Sequence, residues 1–181
     1  MKDDRPLLKR LHLLRRGSLS NVELAQTAVD IAHSDFLNHD DVIRDLVGLL
    51  RHSDPDVRQE VISALAYHGL RFEWEQEPGK TLRGDLLEAV HYDPDDDCRR
   101  GAASALGSLF KGSRDQGVML ALREVCGKES EAQHIRAFAY TSFLSIWGVP
   151  VQQQPNPVNL KVGHAELENM DRYLRDVANG S

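Results

Sequence analysis

The ten-residue stretch Asp56-Val-Arg-Gln-Glu-Val-Ile-Ser-Ala-Leu65 decides the fold, because the chain repeats it twice. A second copy reads Asp97-Cys-Arg-Arg-Gly-Ala-Ala-Ser-Ala-Leu106, and a more divergent third copy reads His134-Ile-Arg-Ala-Phe-Ala-Tyr-Thr-Ser-Phe143. The arginine at the third position recurs after 41 and then 37 residues. Repeats of this length are typical of stacked helix pairs, in which each pair buries its apolar face against its neighbours. The recurrence therefore predicts an all-α fold, an α-α superhelix or solenoid.

The residues before each copy predict where its helix begins. Asp54-Pro55 supplies an N-cap and a first-turn proline, and Asp93-Pro94 restates that turn before the second copy, with two further acids inserted. Apolar residues then recur with the period of one helix face, at Val57, Val61, Ala64 and Leu65. A weaker first pair over residues 6–33 has a second helix with Val22, Ala25, Ala28, Val29 and Ala32 predicted to face inward. The pattern predicts about four helix pairs over residues 1–148.

The helical pattern stops after Gly148. Residues 149–163 contain three prolines and no helical period, which predicts an extended strap rich in proline and glutamine. Residues 164–181 return to helical spacing. We expect them to form a C-terminal helix of the same domain that caps the last pair, because the ends of a solenoid need covering.

The phrase Asp-Val-Arg-x-x-apolar-x-x-Ala-Leu after an Asp-Pro turn resembles the HEAT repeat. It is closest to the small bacterial HEAT-like repeats that also occur in phycobiliprotein lyases. The resemblance covers residues 40–146 well and residues 6–33 loosely. It implies that the second helix of each pair lines a concave face, and that His134 replaces one acid of a ladder between repeats. That implied ladder involves Asp56, Arg58, Asp97, Arg99 and Arg136.

Size and composition indicate a chain that folds without disulfides or metals. A domain of 181 residues buries roughly 70% of the surface that its unfolded chain exposes. Its two cysteines fall within apolar helical patterns, so we expect buried thiols. The sequence has no apolar run of the length that a membrane span needs, and residues 1–6 do not resemble a signal peptide. We expect a cytoplasmic protein that does not contact membranes.

No sequence motif indicates catalysis, a cofactor or a metal. Deoxyhypusine hydroxylases, a HEAT-like class, bind iron through His-Glu dipeptides, and this chain has eight histidines but no such dipeptide. A calcium loop that began at Asp93 would need glycine and glutamate where Cys98 and Ser104 stand. There is no glycine-rich phosphate loop and no nucleophile elbow. We therefore predict a protein that is not an enzyme and has no cofactor.

Charge is unevenly distributed along the chain. The net charge is −6, whereas residues 1–16 sum to +4 and residues 72–97 to −7. An acidic surface repels nucleic acid backbones and attracts cationic partners. This distribution predicts a basic protein as the partner. A nucleic-acid alternative would depend on the basic first helix, through Lys9, Arg10, Arg15 and Arg16.

Three groups of residues are candidates for contact with the partner. The linker after the first copy alternates aromatic and acidic residues, which either anchor a basic partner or tuck into the groove between repeats. Two acids lie in the following turn, and further residues face outward from the second helices. The predicted contact residues are Phe72, Glu73, Trp74, Glu75, Glu77, Asp95, Asp96, Glu60, Tyr67, Arg100 and Phe138.

Together these features favour a non-catalytic protein-protein interaction module that binds a cationic protein. A narrower hypothesis is an immunity protein that neutralises a basic bacterial toxin, such as a nuclease, by occupying the surface meant for substrate phosphate. Two alternatives stay open. One is a phycobilin-lyase-like HEAT-repeat enzyme or chaperone, and the other is a HEAT-like protein that binds nucleic acid.

Overall fold

The chain is all-α, as predicted. The computed structural model describes residues 5–34, 39–67, 75–77 and 80–179. Strands β1 (Glu75–Glu77) and β2 (Lys80–Thr81) form a short antiparallel hairpin in the link before α5. Within the described ranges the helices are α1 (Arg5–Arg15), α2 (Asn21–Ala32), α3 (Asp40–Gly48), α4 (Pro55–Tyr67), α5 (Leu82–Tyr92), α6 (Asp96–Leu109), α7 (Gln116–Gly127), α8 (Gln133–Trp147) and α9 (His164–Ala178).

The helices form two rows. Helices α2, α4, α6 and α8, the even row, pack side by side in that order along much of their length. The odd row consists of α1, α3, α5, α7 and α9, and its members contact one another far less. Each odd helix from α1 to α7 also packs against the even helix that follows it. The chain is therefore built from four successive helix pairs followed by α9.

Small side chains allow the even helices to approach closely. A Cβ added to Gly107 of α6 would lie 2.6 Å from the Cβ of Ser142 on α8. A Cβ added to Gly101 would lie 3.5 Å from Ile62 Cγ2 on α4. The stripe predicted along α4, from Val57 to Leu65, is buried in the same core. Close packing of apolar and small residues thus holds the even row together.

The starts of α4 and α6 differ. At α4 the prediction is confirmed: Asp54 Oδ1 accepts from the N–H of Asp56 at 2.9 Å, and Pro55 is the first helical residue. The Asp-Pro turn is restated before α6, because the Asp95 N–H donates to Asp93 Oδ1 at 2.9 Å as the Asp56 N–H does to Asp54 Oδ1. Asp95 caps α6 by accepting from the Cys98 N–H at 2.9 Å, and Pro94 precedes the cap. The inserted acids therefore move the start of α6 beyond the turn, and the Asp93 carboxylate also binds a guanidinium from α4.

The segment after α8 crosses to α9 without forming an α-helix. Gly148 ends α8 in the left-handed region, with φ of 103°. Apart from one 3₁₀ turn at Val151–Gln153, residues 149–163 are extended or turn, and the Gln154 amide donates to Ser145 Oγ at 3.0 Å. Helix α9 then packs chiefly on α7, where Met170 is fully buried. Its Tyr173 ring stacks on Trp147 of α8, with ring centroids 4.7 Å apart.

None of the helices in the described ranges is long and apolar enough to cross a membrane.

Candidate functional site

A buried arginine ladder joins successive even helices. Arg58 of α4 donates Nε and Nη2 to the carboxylate of Asp93, at 2.8 Å each. At the equivalent position of α6, Arg99 donates Nη2 to Glu131 at 3.0 Å. In the third copy Arg136 donates Nε to the backbone carbonyl of Cys126 at 2.7 Å. Arg58 and Arg99 therefore link successive helix pairs, as the resemblance implied, whereas Arg136 bonds to α7 within its own pair.

The acids of this ladder are not the ones that the resemblance implied. Asp56 and Asp97 are exposed, and the acceptors are Asp93 and Glu131, which precede the next even helix. Helical side chains lean toward the N-terminus of their own helix. The guanidinium therefore reaches the turn before the neighbouring helix rather than a residue within that helix.

Ion pairs between successive units all run in one direction among the described residues. The arginine belongs to the earlier unit and the carboxylate to the later one, in the exposed odd row as well as in the buried ladder. The odd-row pairs are Arg15 with Asp41 and Asp45, Arg51 with Asp85 and Glu88, Arg83 with Asp115, and Arg123 with Asp171.

Within residues 72–97, the acidic middle of the chain, most described carboxylates pair with arginines of the same chain. Arg51 pairs with both acids of α5, and Arg58 pairs with Asp93. Among the acids predicted to bind a partner, Asp95 caps α6, and the exposed Asp96 pairs with Arg99 on the same helix. The strong negative charge of residues 72–97 therefore does not translate into an equally negative surface over its described part.

Six predicted contact residues lie wholly or partly outside the described residues. Phe72, Glu73 and Trp74 lie outside the described residues. Glu75 and Glu77 belong to β1, and Tyr67 ends α4, but their side chains lie outside the described part of the structure. The predicted roles of these six residues stay predictions.

The outward faces of α6 and α8 meet at a cation–π contact. The Arg100 guanidinium carbon lies 5.3 Å from the centroid of the Phe138 ring, and Arg100 also pairs with Asp97 at 2.9 Å. The structure thus brings two predicted contact residues together. Ala137 and Thr141, which lie close to Phe138 along α8, are buried. Helix α8 is surrounded by α6, α7 and α9, so more than one of its faces is covered.

Glu60, the remaining predicted contact residue, lies at a separate groove between α2 and α4. This α2–α4 groove has a volume of about 260 Å³. Its α2 side is mainly apolar, and its α4 side is acidic. Its lining residues are Asn21, Val22, Ala25, Gln26, Val29, Asp54, Asp56 and Glu60.

The apolar side of the groove contradicts part of our prediction for α2. Val22 is 79% exposed and Val29 is half-buried, although we expected both to face the core. Of the other predicted residues, Ala28 and Ala32 are buried and Ala25 packs against the core. Leu24 and Ile31, on a second stripe, also reach the core. Helix α2 has two apolar stripes, and α1 and α4 cover only one of them. A two-sided apolar pattern was the available sequence signal for this groove.

The acidic side of the groove lacks internal compensation. In the described part of the chain, no cationic side chain pairs with Asp54, Asp56 or Glu60. Asp54 Oδ2 accepts from Asn21 Nδ2 at 2.6 Å, which ties α2 to α4 at the groove. Desolvation raises the pKa of Asp54, but hydrogen bonds from Asn21 and two backbone N–H groups outweigh it, so the pKa lies below its usual value. The groove therefore carries three carboxylates beside an apolar wall.

Part of the positive charge of the first helix is also paired with carboxylates. Arg10 pairs with Asp30 of α2. Arg15 donates to Asp41 and Asp45 of α3, at 2.6 Å each. Two of the four cations that a nucleic-acid site would use are therefore already engaged by carboxylates.

The two cysteines are fully buried, as predicted. Burial raises the pKa of Cys98 and of Cys126 to about 12, so both are neutral thiols at pH 7. The Cys98 thiol lies 3.4 Å from the Pro55 carbonyl oxygen. Across the described residues, no group of three or more His, Cys, Asp or Glu side chains is arranged to hold a metal ion.

Comparison with known proteins leaves the family open. No family model matches the chain, and no curated protein matches it significantly in sequence. The assignment of the repeated sequence pattern to the HEAT family stays a prediction. The α2–α4 groove is the described surface that best combines exposed apolar area with uncompensated charge.

Proposed function

We propose that this chain is a HEAT-like α-solenoid that acts as a non-catalytic binding module for a cationic protein in the cytoplasm. The α2–α4 groove is its docking site. One observation carries the proposal: an exposed apolar wall faces three carboxylates that have no cationic partner in the described part of the chain. Side-by-side packing of the even helices supports the solenoid, because it places the second helix of each pair on one continuous face.

The groove is favoured over the acidic middle because of where the arginines lie. A carboxylate that already pairs with an arginine gains little from a second cation and loses its first partner in exchange. Asp85, Glu88, Asp93 and Asp96 are in that position. Asp56 and Glu60 have no arginine partner among the described residues, and they lie one helical turn apart on α4. A cationic side chain of a partner is therefore attracted more strongly to the groove than to the acidic middle.

Recognition at this site divides between the two walls. Val22 offers the larger exposed apolar contact, and Ala25 and Val29 extend it along α2. A partner segment with an aliphatic side chain between lysines or arginines would cover this wall and pair with the acids of α4. Apolar burial would supply affinity, while the acids would steer encounter and select basic partners.

Within this class, an inhibitor of a basic toxin is the narrower proposal. A nuclease binds substrate phosphate through cationic side chains, and carboxylates at the groove would occupy those cations. The partner would then be a basic bacterial protein, and the chain would serve as its immunity protein.

The two alternative functions find less support. Nucleic-acid binding through α1 is disfavoured because Arg10 and Arg15 are paired with acids. For a phycobilin-lyase-like enzyme, the site would need an apolar cavity of tetrapyrrole size. A cavity of about 600 Å³ lies between α8 and α9, but charged side chains of α9 dominate its lining.

The test is a pull-down with the tagged full-length chain, followed by titration of the purified partner. The test variant combines Asp56→Asn with Glu60→Gln. The matched control is Asp97→Asn, whose carboxylate already pairs with Arg100. We expect a basic protein that binds wild type and the control equally and binds the test variant at least about tenfold more weakly, a loss of about 1.4 kcal/mol. Equal binding by the test variant, or an acidic partner, would refute the proposal.

A further inference from the structure

The second and third helix pairs are joined firmly on one side. Helices α4 and α6 pack along their length, and α4 contributes the buried side chains Val57, Val61 and Ile62. Gly101 of α6 brings the α6 backbone close to Ile62. Movement that separated α4 from α6 would expose this apolar surface to water, which makes it unfavourable.

A buried ion pair fixes the same side. The Arg58 and Asp93 side chains are only 8% and 5% exposed. The Arg58 Nη1 group also donates to the backbone carbonyls of His52 and Ser53, at 2.7 and 3.1 Å. Arg58 therefore ties the turn before α4 to the turn before α6. Because the pair is shielded from solvent, dissolved salt screens it little.

The opposite side of this junction is open. Helices α3 and α5 make at most marginal contact, and α1 with α3 makes little more, whereas α7 packs directly on α9. A cavity of about 360 Å³ lies on this side, with Leu50 and Ala89 among its apolar lining, and the Arg58–Asp93 pair closes its inner end toward α4 and α6. Tyr92, which also lines it, is largely exposed rather than filling it.

Arg51 bridges this open side. Its Nη2 group lies 3.2 Å from Asp85 Oδ1 and 3.1 Å from Glu88 Oε2, both on α5. The Arg51 and Glu88 side chains are 59% and 61% exposed. Exposed pairs of this kind are worth about 0–1 kcal/mol each and weaken as salt increases. The link across the cavity is therefore polar and open to solvent at Arg51 and Glu88, although Asp85 is only 11% exposed, whereas the link on the opposite side is buried.

We propose that the junction between the second and third helix pairs is a hinge, with the α4–α6 contact as its axis and Arg51 as an electrostatic latch across the cavity. At low ionic strength the latch holds α3 near α5. High ionic strength screens the latch and leaves the axis intact, so α1–α4 and α5–α9 rotate apart on the odd-row side. The curvature of the even row changes with that rotation.

The hinge can be measured with a pair of spin labels on the full-length chain. Arg44→Cys on α3 and Gln116→Cys on α7 place labels at exposed positions on either side of the junction. The two native cysteines are buried, so the introduced thiols are labelled selectively. Pulsed electron paramagnetic resonance then gives the distance distribution between the labels at 0.01 M and 1 M NaCl, where the Debye length is about 30 Å and about 3 Å.

The test variant is Arg51→Gln, and the matched control is Arg16→Gln, which removes an exposed arginine of the first helix pair that does not line the cavity. We expect the label distance in wild type to lengthen and broaden from low to high salt. Arg51→Gln should show the high-salt distribution at both salt concentrations, while Arg16→Gln should behave as wild type. Unchanged helicity by circular dichroism in each sample would assign the shift to hinge motion. A salt-independent wild-type distance, or a low-salt distance in Arg51→Gln equal to wild type, would overturn the proposal.

Discussion

The ladder pair between Arg58 and Asp93 gives the sharpest stability prediction. Asp93→Ala would leave the Arg58 guanidinium buried without its carboxylate, and it would also remove the acceptor for the Asp95 N–H at 2.9 Å. Breaking a buried pair by removing one partner costs about 3–5 kcal/mol. For a chain of this length each kcal/mol lowers Tm by about 2–4 °C. We expect Tm to fall by roughly 6–20 °C.

Urea and thermal unfolding followed by circular dichroism measure this loss. The matched control is Asp97→Ala, which breaks the exposed pair with Arg100 and should cost at most about 1 kcal/mol. A third variant combines Asp93→Ala with Arg58→Met. Because it no longer buries an unpaired charge, we expect it to be more stable than Asp93→Ala alone.

Two results would refute this reasoning. Equal losses for Asp93→Ala and Asp97→Ala would mean that burial does not distinguish the two ion pairs. A double variant less stable than Asp93→Ala would mean that Arg58 contributes through packing and backbone contacts rather than through its charge.

Three further predictions concern packing, pH and thiol reactivity. Gly107→Ala would place a Cβ 2.6 Å from Ser142 Cβ and should destabilise by about 1–3 kcal/mol in urea unfolding, whereas Gly48→Ala, with open space around it, should be neutral or stabilising. The Arg123 guanidinium lowers the pKa of Asp171, so this pair adds stability above the unfolded pKa of about 3.9 and loses it as pH falls through the folded value. The stability difference between wild type and Arg123→Gln should therefore disappear in acid, and a constant difference down to pH 2 would contradict it. Both native cysteines should resist a thiol-specific reagent at pH 8 until the chain is unfolded, because burial raises their pKa to about 12; rapid labelling of folded protein would show that they are accessible.

The all-helical fold and the buried faces of the main helices could be predicted because both depend on local periodicity. Val57, Val61, Ala64 and Leu65 all follow one helical face, and all are buried. Such a stripe has a single way to avoid water when the opposite face of the helix is polar. The sequence therefore contained the information on its own.

The orientation of α2 depended on information that the local sequence lacks. Two apolar stripes compete on this helix, one with Val22 and Val29 and one with Leu24 and Ile31. Their hydrophobicity is similar, so periodicity alone does not choose between them. The positions of α1 and α4 decide which stripe is covered, and the uncovered one became the wall of the candidate groove.

The partners of the arginines were also beyond sequence reasoning. The chain contains 28 acids, and the ladder arginines could have reached several of them. Arg58 selects Asp93, 35 residues away, because side-chain lean and the spacing of α4 and α6 bring those atoms together. The acidic middle consequently looked like a free charged surface in the sequence, although most of its described carboxylates are engaged.

The common direction of the ion pairs has a consequence for how such a chain can grow. At each junction between units, the earlier unit contributes arginines and the later one contributes carboxylates. A tandem duplication of one internal unit would create one new junction, at which the arginines of the first copy again lie on the side toward the carboxylates of the second. Gene duplication can therefore lengthen this protein while keeping the charge order of its junctions.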